Sequence, residues 1–304
     1  RYTMQKIIKN LINKIYSREE PPKMTWWTKP EYNGLIYTAP PIPSTKHFPK
    51  VFRNMPRDNP GLGFPTAKQC PAFVDLYKHT YILPMWCDVN LNISASKIEK
   101  NPEPINARVR SGSGSTQASV IKPKLESTIN DRLQFEWETP SQEFFFENHG
   151  NNQFLDFVPE SKEDWKFVWK PHCPWNMKTP KGYSVFQLPM TYEFNPDFEV
   201  MSGIIDTDIH HEINQQIVQK RMGTIEIKRG TPLCMYLPFK RDKFNLEVVL
   251  ETQDLWSMRI KNFWNMWSKF GATKSKLGGY REAQKDQAKE LDQEYKPSLW
   301  DDRK

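Results

Sequence analysis

Proline limits this chain to short structural segments. The sequence contains 25 Pro and 13 Gly in 304 residues, and Pro is excluded from helix interiors and from central strands because it lacks a backbone donor. Long helices are therefore not expected in the middle of the chain. Aromatic residues make up 13% of the sequence. This share predicts a core built largely from Trp, Phe and Tyr, which favours sheets over helical bundles.

Short alternating segments predict a mainly β fold. Two sets of large apolar side chains alternate with polar neighbours: Leu133, Phe135 and Trp137, and Trp165, Phe167 and Trp169. This period of two is typical of half-buried strands. Further strands are predicted at 80–93, 142–147, 183–189, 199–205, 224–228 and 232–237. Many short strands without intervening helices predict a distorted β-barrel or sandwich.

Changes in composition divide the chain into three regions. Residues 1–65 combine a short amphipathic helix with an arm rich in Pro and aromatic residues, which is not expected to form regular ladders. Residues 66–245 form the β domain, and residues 246–304 form a helical tail. Within the β domain, residues 94–131 hold almost no large apolar side chains and predict a long polar loop or insertion.

Apolar side chains recur at helical spacing near both ends of the sequence. One helix is predicted at 4–16, and another runs from Asp254 to about Phe270, followed by a more polar helix at 280–295. These helices either dock on their own domain or contact neighbouring subunits. The residues predicted to form such an interface are Ile7, Ile8, Leu11, Ile15, Trp26, Trp27, Trp256, Phe263, Trp264 and Trp267.

Charge and cysteine spacing argue against several classes of function. The formal net charge is +7, but the basic residues form no stripe with interleaved stacking aromatics, so nucleic acid is not an expected partner. No two of the four Cys share a CxxC spacing, which argues against a zinc ribbon and for reduced thiols. No signal-peptide pattern or membrane-span-length apolar window is present. We therefore expect neither a membrane partner nor secretion through a signal peptide.

The most informative stretch is residues 179–241. Its four elements are Thr-Pro-Lys-Gly-Tyr-Ser at 179–184, Ser-Gly-Ile-Ile-Asp-Thr-Asp at 202–208, Ile-Lys-Arg-Gly-Thr-Pro-Leu at 227–233 and Pro-Phe-Lys-Arg at 238–241. The Gly-Ile-Ile-Asp element and the following Ile-x-x-Gly strand resemble the core of trimeric dUTPases and related dCTP deaminases, which share the β-clip fold. The whole string also resembles uncharacterised proteins of tailed bacteriophages, especially marine ones. The resemblance covers about 60 of the 304 residues.

The resemblance implies a role for Asp206 and shows departures from the enzymes. In dUTPases the Asp of this element positions the attacking water or the deoxyribose, and a carboxylate there can accept the proton of the water. The enzymes carry a stacking Tyr three residues later, where this chain has Ile209. Their Arg-Ser phosphate-binding turn has no counterpart, since no Arg lies between Gly182 and Gly203. Their C-terminal Gly-rich arm is similar only to residues 110–116, which lie upstream and are interpreted as part of the polar loop.

A metal site is an alternative role for the same segment. Asp206, Asp208 and His210 have the ligand types of iron, manganese or zinc centres, as in cupin-like metal-dependent oxygenases. Adjacent His210 and His211 would point to opposite faces of a strand, which argues against a shared ion. The simpler interpretation of Asp-Thr-Asp after a Gly-Ile-Ile strand is a turn.

Three functional hypotheses follow. The first is a non-enzymatic structural or assembly protein of a phage virion, associated with the capsid, neck or tail, built on a β-clip-like scaffold and needing no cofactor. It would be assembled in the host cytoplasm and would contact other virion proteins and copies of itself, with a trimer implied by analogy. The second is a nucleotide hydrolase of the dUTPase or dCTP deaminase type that uses Asp206 and Mg²⁺. The third is the cupin-like oxygenase.

Overall fold

The computed structural model describes most of the central part of the chain. The described residues are 21–61, 66–97, 113–119, 131–139, 144, 146–149, 167–246, 248 and 253–272. The predicted helices at 4–16 and 280–295 lie outside them, as do Ile7, Ile8, Leu11 and Ile15.

The described residues form a mainly β structure with few helices. The strands are β1 (Thr25–Thr28), β2 (Ile42–Pro43), β3 (Tyr81–Pro84), β4 (Val89–Lys97), β5 (Ser113–Ser119), β6 (Asp131–Glu138), β7 (Phe146–Asn148), β8 (Val168–Pro171), β9 (Trp175–Lys178), β10 (Tyr183–Pro189), β11 (Phe198–Val200), β12 (Gly203–Ile205), β13 (Ile217–Gln219), β14 (Gly223–Ile227) and β15 (Pro232–Lys240). The α-helices are α1 (Leu35–Thr38), α2 (Lys50–Asn54), α3 (Pro71–His79) and α4 (Gln253–Ala272). Among these residues, none of the helices is both long and apolar enough to cross a membrane.

The strands pair only antiparallel within the described residues and form several sheets. The strand orders are β1-β9, β12-β10-β15-β3-β2, β11-β13-β8-β7 and β14-β4-β6-β5. The predicted mainly β class is confirmed, but none of these four sheets closes on itself, so the described residues form open sheets and not a closed barrel. Proline contributes a physical reason at one edge, since the edge strand β2 contains Pro43, which has no N–H to donate to a further strand.

The sheets enclose one large aromatic-rich core, called the main core, and a smaller separate cluster formed by Tyr77, Ile82 and Met235. The largest fully buried side chains are those of Trp86, Trp169, Tyr77, Tyr236, Phe146, Phe167, Ile82, Leu83, Met85 and Leu91. Phe146 lies between Trp137 and Trp169, with ring centroids 5.7 Å and 6.0 Å away, and Trp169 makes an edge contact with Phe198. Tilted and edge-to-face rings of this kind stabilise a core beyond their area burial. The predicted bias towards aromatic core residues is confirmed.

The Pro-rich segment forms ladders, contrary to expectation. β1 pairs with β9, and β2 pairs with β3. These strands are short and lie at sheet edges. Pro43 has no backbone N–H, but at an edge no further strand needs a hydrogen bond from it. Leu35 of the neighbouring helix α1 is buried in the main core. The segment therefore runs over the surface of its own β domain.

The predicted polar loop at 94–131 also contains regular structure. β4 extends to Lys97, and β5 pairs along its length with β6, from Ser113 opposite Glu138 to Ser119 opposite Arg132. β5 is the edge strand of its sheet. Pairing with a neighbour stabilises this Ser-rich strand, which local propensity disfavours. The helix predicted from Asp254 is observed as α4.

Candidate functional site

Three adjacent strands bring the resemblance-bearing segments together. β10 is central, with β12 on one side and β15 on the other. Val185 pairs with Ile205, so the next register position places Ser184 opposite Asp206. Tyr183 pairs with Lys240, and the Arg241 backbone N–H donates to the Gly182 carbonyl at 2.9 Å. Residues that are distant in sequence thus meet at one end of the sheet.

Two turns fix the backbone at this end. The N–H of Tyr183 donates to the carbonyl of Pro180 at 3.1 Å, and Gly182 has φ +84°. This geometry is that of a type II turn, which requires a left-handed residue at its third position. Directly after β12, the N–H groups of Ile209 and His210 both donate to the Asp206 carbonyl at 2.9 Å. The predicted turn after the Gly-Ile-Ile strand is confirmed.

The Arg241 side chain joins two carboxylates and a hydroxyl. Its Nη1 lies 2.9 Å from Asp206 Oδ1 and 2.8 Å from Asp208 Oδ1, and its Nη2 lies 2.5 Å from Asp208 Oδ2. Ser184 Oγ donates to Asp206 Oδ1 at 2.6 Å and accepts from Arg241 Nη1 at 3.0 Å. The Gly182 N–H donates to Asp208 Oδ2 at 2.8 Å. We call Ser184, Asp206, Asp208 and Arg241 the Arg241 cluster.

Hydrogen bonds in the Arg241 cluster stabilise the charged forms of its groups. Donation from Ser184 and Arg241 lowers the pKa of Asp206, and donation from Arg241 and the Gly182 N–H lowers the pKa of Asp208. The same contacts raise the pKa of Arg241. A general base needs a pKa near the working pH and a free lone pair directed at the substrate. Both donors engage Oδ1 of Asp206, and the lowered pKa makes this carboxylate a weaker base, which works against that role.

The metal-ligand set predicted from the sequence is not assembled. His210 is exposed, whereas the side chain of Asp208 is only 5% exposed and points to Arg241. Across the part of the chain that the structure describes, no three His, Cys, Asp or Glu side chains are grouped to hold a metal ion. His211 instead contacts the Thr207 carbonyl through Nδ1 at 3.0 Å.

The predicted interface residues fall into two described groups. Trp26 packs against the main core and makes an edge contact with Tyr236, while Trp27 is 36% exposed and lies against His211. The second group lies on α4. Its exposed fractions are 51% for Trp256, 45% for Phe263 and 65% for Trp264. Trp267 belongs to the same helix, but its side chain lies outside the described part.

Sequence reasoning missed Arg241 and Ser184. Both stand in segments of the resemblance, Pro-Phe-Lys-Arg and Pro-Lys-Gly-Tyr-Ser, but neither was assigned a role. The available signal was that Arg241 directly follows one apolar strand, β15, and that Asp206 directly follows another, β12. Both strands pair antiparallel with β10, and this pairing brings the two residues into contact.

Comparison with known proteins gives only weak likenesses. No protein-family model and no curated protein matches the chain. A mutant dUTPase of Staphylococcus bacteriophage 80alpha is 11% identical, with a TM-score of 0.23, over 53% of this chain and 98% of that one. A mutant dUTPase from phage phi11 of S. aureus is 12% identical, with a TM-score of 0.23, over 53% of this chain and 99% of that one. Likenesses of this size do not establish a shared fold.

Proposed function

We propose that this chain is a non-enzymatic structural or assembly protein built on a β-clip-like scaffold. The observation that carries the proposal is the engagement of both carboxylates of the Gly-Ile-Ile-Asp-Thr-Asp element by Arg241. Arg241 and Asp208 join the ends of β15 and β12 through a bidentate contact, which gives both strength and a fixed geometry. In this proposal Asp206, the residue that would activate water in a dUTPase, helps to hold the end of the sheet.

An assembly role is supported by the surface of α4. Trp256, Ile260 and Trp264 lie at spacings of four residues and are 51%, 41% and 65% exposed. Large aromatic side chains at such positions are over-represented in the centres of protein interfaces. We propose copies of the same chain and other virion proteins as the partners, because the sequence resembles uncharacterised proteins of tailed phages. A location in the capsid, neck or tail and a threefold assembly belong to the same proposal.

Sedimentation of the purified chain tests the assembly role. The wild type should sediment as a discrete oligomer, and Trp256→Ser combined with Trp264→Ser should shift it towards monomer. Replacing central interface aromatics typically costs ~2 kcal/mol or more each, a change of ~30-fold or more in the dissociation constant. Tyr37→Ser is the matched control, because Tyr37 is 87% exposed and lies on α1 and not on α4. It should leave the oligomer unchanged.

The nucleotide-hydrolase alternative makes the opposite prediction on the same sample. Incubation with the common deoxynucleotides and Mg²⁺ should give no turnover under the assembly proposal. Turnover of dUTP or dCTP that disappears in Asp206→Asn would refute it and make the Arg241 cluster an active site. A monomer insensitive to the α4 substitutions would refute the assembly role without supporting the enzyme.

A further inference from the structure

A second feature lies apart from the Arg241 cluster. A cleft of about 570 Å³ is lined by the segment that joins β10 to β11, by β11 itself and by the start of β15. Its volume falls in the range of small-molecule sites. The walls are rich in apolar side chains, including Tyr192, Phe194, Phe198, Val200 and Leu233. The proposed assembly role makes no use of this cleft.

Two aromatic residues in the lining have left-handed backbone conformations. Tyr192 has φ +66° and Phe194 has φ +52°, and they are the only non-glycine residues with positive φ in the described part of the chain. Such conformations are unfavourable for bulky side chains and persist only where surrounding contacts impose them. Both residues lie in one short segment that lines the cleft. The strained backbone of this segment fixes the direction in which its side chains face the cleft.

The surrounding structure holds this segment at several points. Tyr77 Oη donates to the Thr191 carbonyl at 2.5 Å, and the Tyr192 ring lies 4.7 Å from the ring of Phe73. His47 Nε2 lies 2.8 Å from a carboxylate oxygen of Glu193. These contacts, from helix α3 and from the segment after β2, fix the residues before Phe194.

Phe194 gains little burial from this arrangement. Its side chain is 78% exposed at the cleft, although its backbone is held in an unfavourable conformation. Burial in the folded chain therefore does not explain a large apolar ring at this position. Contact with a ligand would explain it, because stacked and edge-to-face ring contacts are favourable in addition to the area that they bury.

The charged groups of the lining determine the class of ligand. Glu193 is paired with His47, and Glu199 lies 2.7 Å from Lys220, whose Nζ also donates to the Asn195 carbonyl. Asp197 is paired with Arg221. These side chains are 26–50% exposed and each already has a partner, so a charged ligand would have to displace that partner or bind without a counter-charge. An uncharged ligand leaves all three pairs intact.

We propose that the cleft binds a small, uncharged aromatic molecule whose ring stacks on Phe194. The aromatic and aliphatic walls supply the contact area, and the left-handed backbone at Phe194 presents the ring in advance of binding. The Lys220–Glu199 and Arg221–Asp197 ion pairs and the His47–Glu193 hydrogen bond select against charged analogues of the same size.

Three probes of similar shape test the proposal by ligand-observed NMR on the full chain: 2-phenylethanol, phenethylammonium and 3-phenylpropanoate. The neutral alcohol should bind in the millimolar range or tighter, and each charged probe should bind at least ~10-fold more weakly because of unpaired charge. Phe194→Ala should weaken binding of the alcohol by ~10-fold. Phe244→Ala is the matched control, since Phe244 is 89% exposed outside the cleft lining, and it should change nothing.

A stability measurement separates a binding role from a structural one. Phe194→Gly removes both the ring and the conformational penalty of the left-handed backbone. It should abolish binding of the alcohol and raise Tm by ~2–4 °C. Equal binding of all three probes, no binding of any, or binding unchanged in Phe194→Ala would overturn the proposal. A lower Tm in Phe194→Gly would also overturn it, because the ring would then support the fold.

Discussion

Single side chains of the Arg241 cluster link the stability of this chain to pH. Asp208 is nearly buried and accepts from Arg241 and from the Gly182 N–H, so its pKa is lower in the folded chain than in the unfolded one. A lowered carboxyl pKa stabilises the fold at pH values above the unfolded-state pKa of ~3.9. This stabilisation is lost as pH falls through the lower, folded-state value. Asp206 acts in the same direction.

Replacing Arg241 should therefore destabilise the chain in a pH-dependent manner. In Arg241→Gln, Asp208 keeps its charge at pH 7 but loses its cationic partner, so Tm should fall by several degrees. As pH falls through the lowered folded-state pKa values of Asp206 and Asp208, these carboxyls become protonated in both proteins, and the difference in Tm should shrink. Thermal unfolding at a series of pH values measures both effects.

Lys240→Gln is the control for that series. Lys240 is the neighbouring residue and pairs with Asp242 on the surface at 2.9 Å. An exposed pair of this kind contributes little to stability, so its loss should leave Tm almost unchanged at every pH. A Tm deficit in Arg241→Gln that persists at low pH would indicate lost packing and would contradict the electrostatic account.

The candidate site was only half predictable at this scale. Asp206 was identified because a resemblance marked it, whereas Asp208 was identified from local chemistry, as a candidate metal ligand and as part of a turn. Arg241 follows Asp206 by 35 positions, and no local rule joins them. Their contact depends on which strands become neighbours of β10, which is a property of the whole sheet.

Strands and turns show where local pattern suffices and where it does not. The strand predicted at 183–189 matches β10 residue for residue, because a central strand carries strong apolar character between a turn and a proline. The strand predicted at 199–205 is instead divided into β11 and β12, which belong to different sheets. β9 and β13 were not predicted. They are only four and three residues long and depend on pairing with β1 and with β11 and β8.

The turn before β10 gives an element-scale prediction. Gly182 has φ +84°, and a Cβ added at this position would meet no atom within 4 Å, so only the backbone conformation opposes a larger residue. Gly182→Ala should lower the free energy of unfolding by about 1–2 kcal/mol. Urea denaturation measures it, with the slope expected to stay constant.

Gly203→Ala provides the control on the adjacent strand. A Cβ at Gly203 also meets nothing within 4 Å, but its backbone lies outside the left-handed region. This substitution should be neutral or slightly stabilising, since Ala restricts the unfolded chain more than Gly. Equal losses in both variants would point to the packing of strands β12 and β10, and would contradict the conformational explanation.

At the scale of the whole molecule, the Pro-rich segment packs as part of the β domain. The sequence could not determine whether this segment covers its own domain or a neighbouring subunit. The structure places Leu35 and Ala39 in the main core, and it pairs β1 and β2 with strands of the β domain. A segment whose prolines interrupt regular ladders can therefore still contribute to the core, because burial of its apolar side chains requires only that they face inward.

Leu35 and its neighbour Ile36 test this arrangement in the isolated chain. Leu35 is 8% exposed and packs in the core, whereas Ile36 is 49% exposed on the same helical turn. Leu35→Ala should lower the free energy of unfolding by about 2–4 kcal/mol through lost burial and a residual cavity. Ile36→Ala should stay within about 0.5 kcal/mol of the wild type. If the segment were ordered only on a partner, both substitutions would leave the urea midpoint of dilute monomer unchanged and would alter only the assembled form.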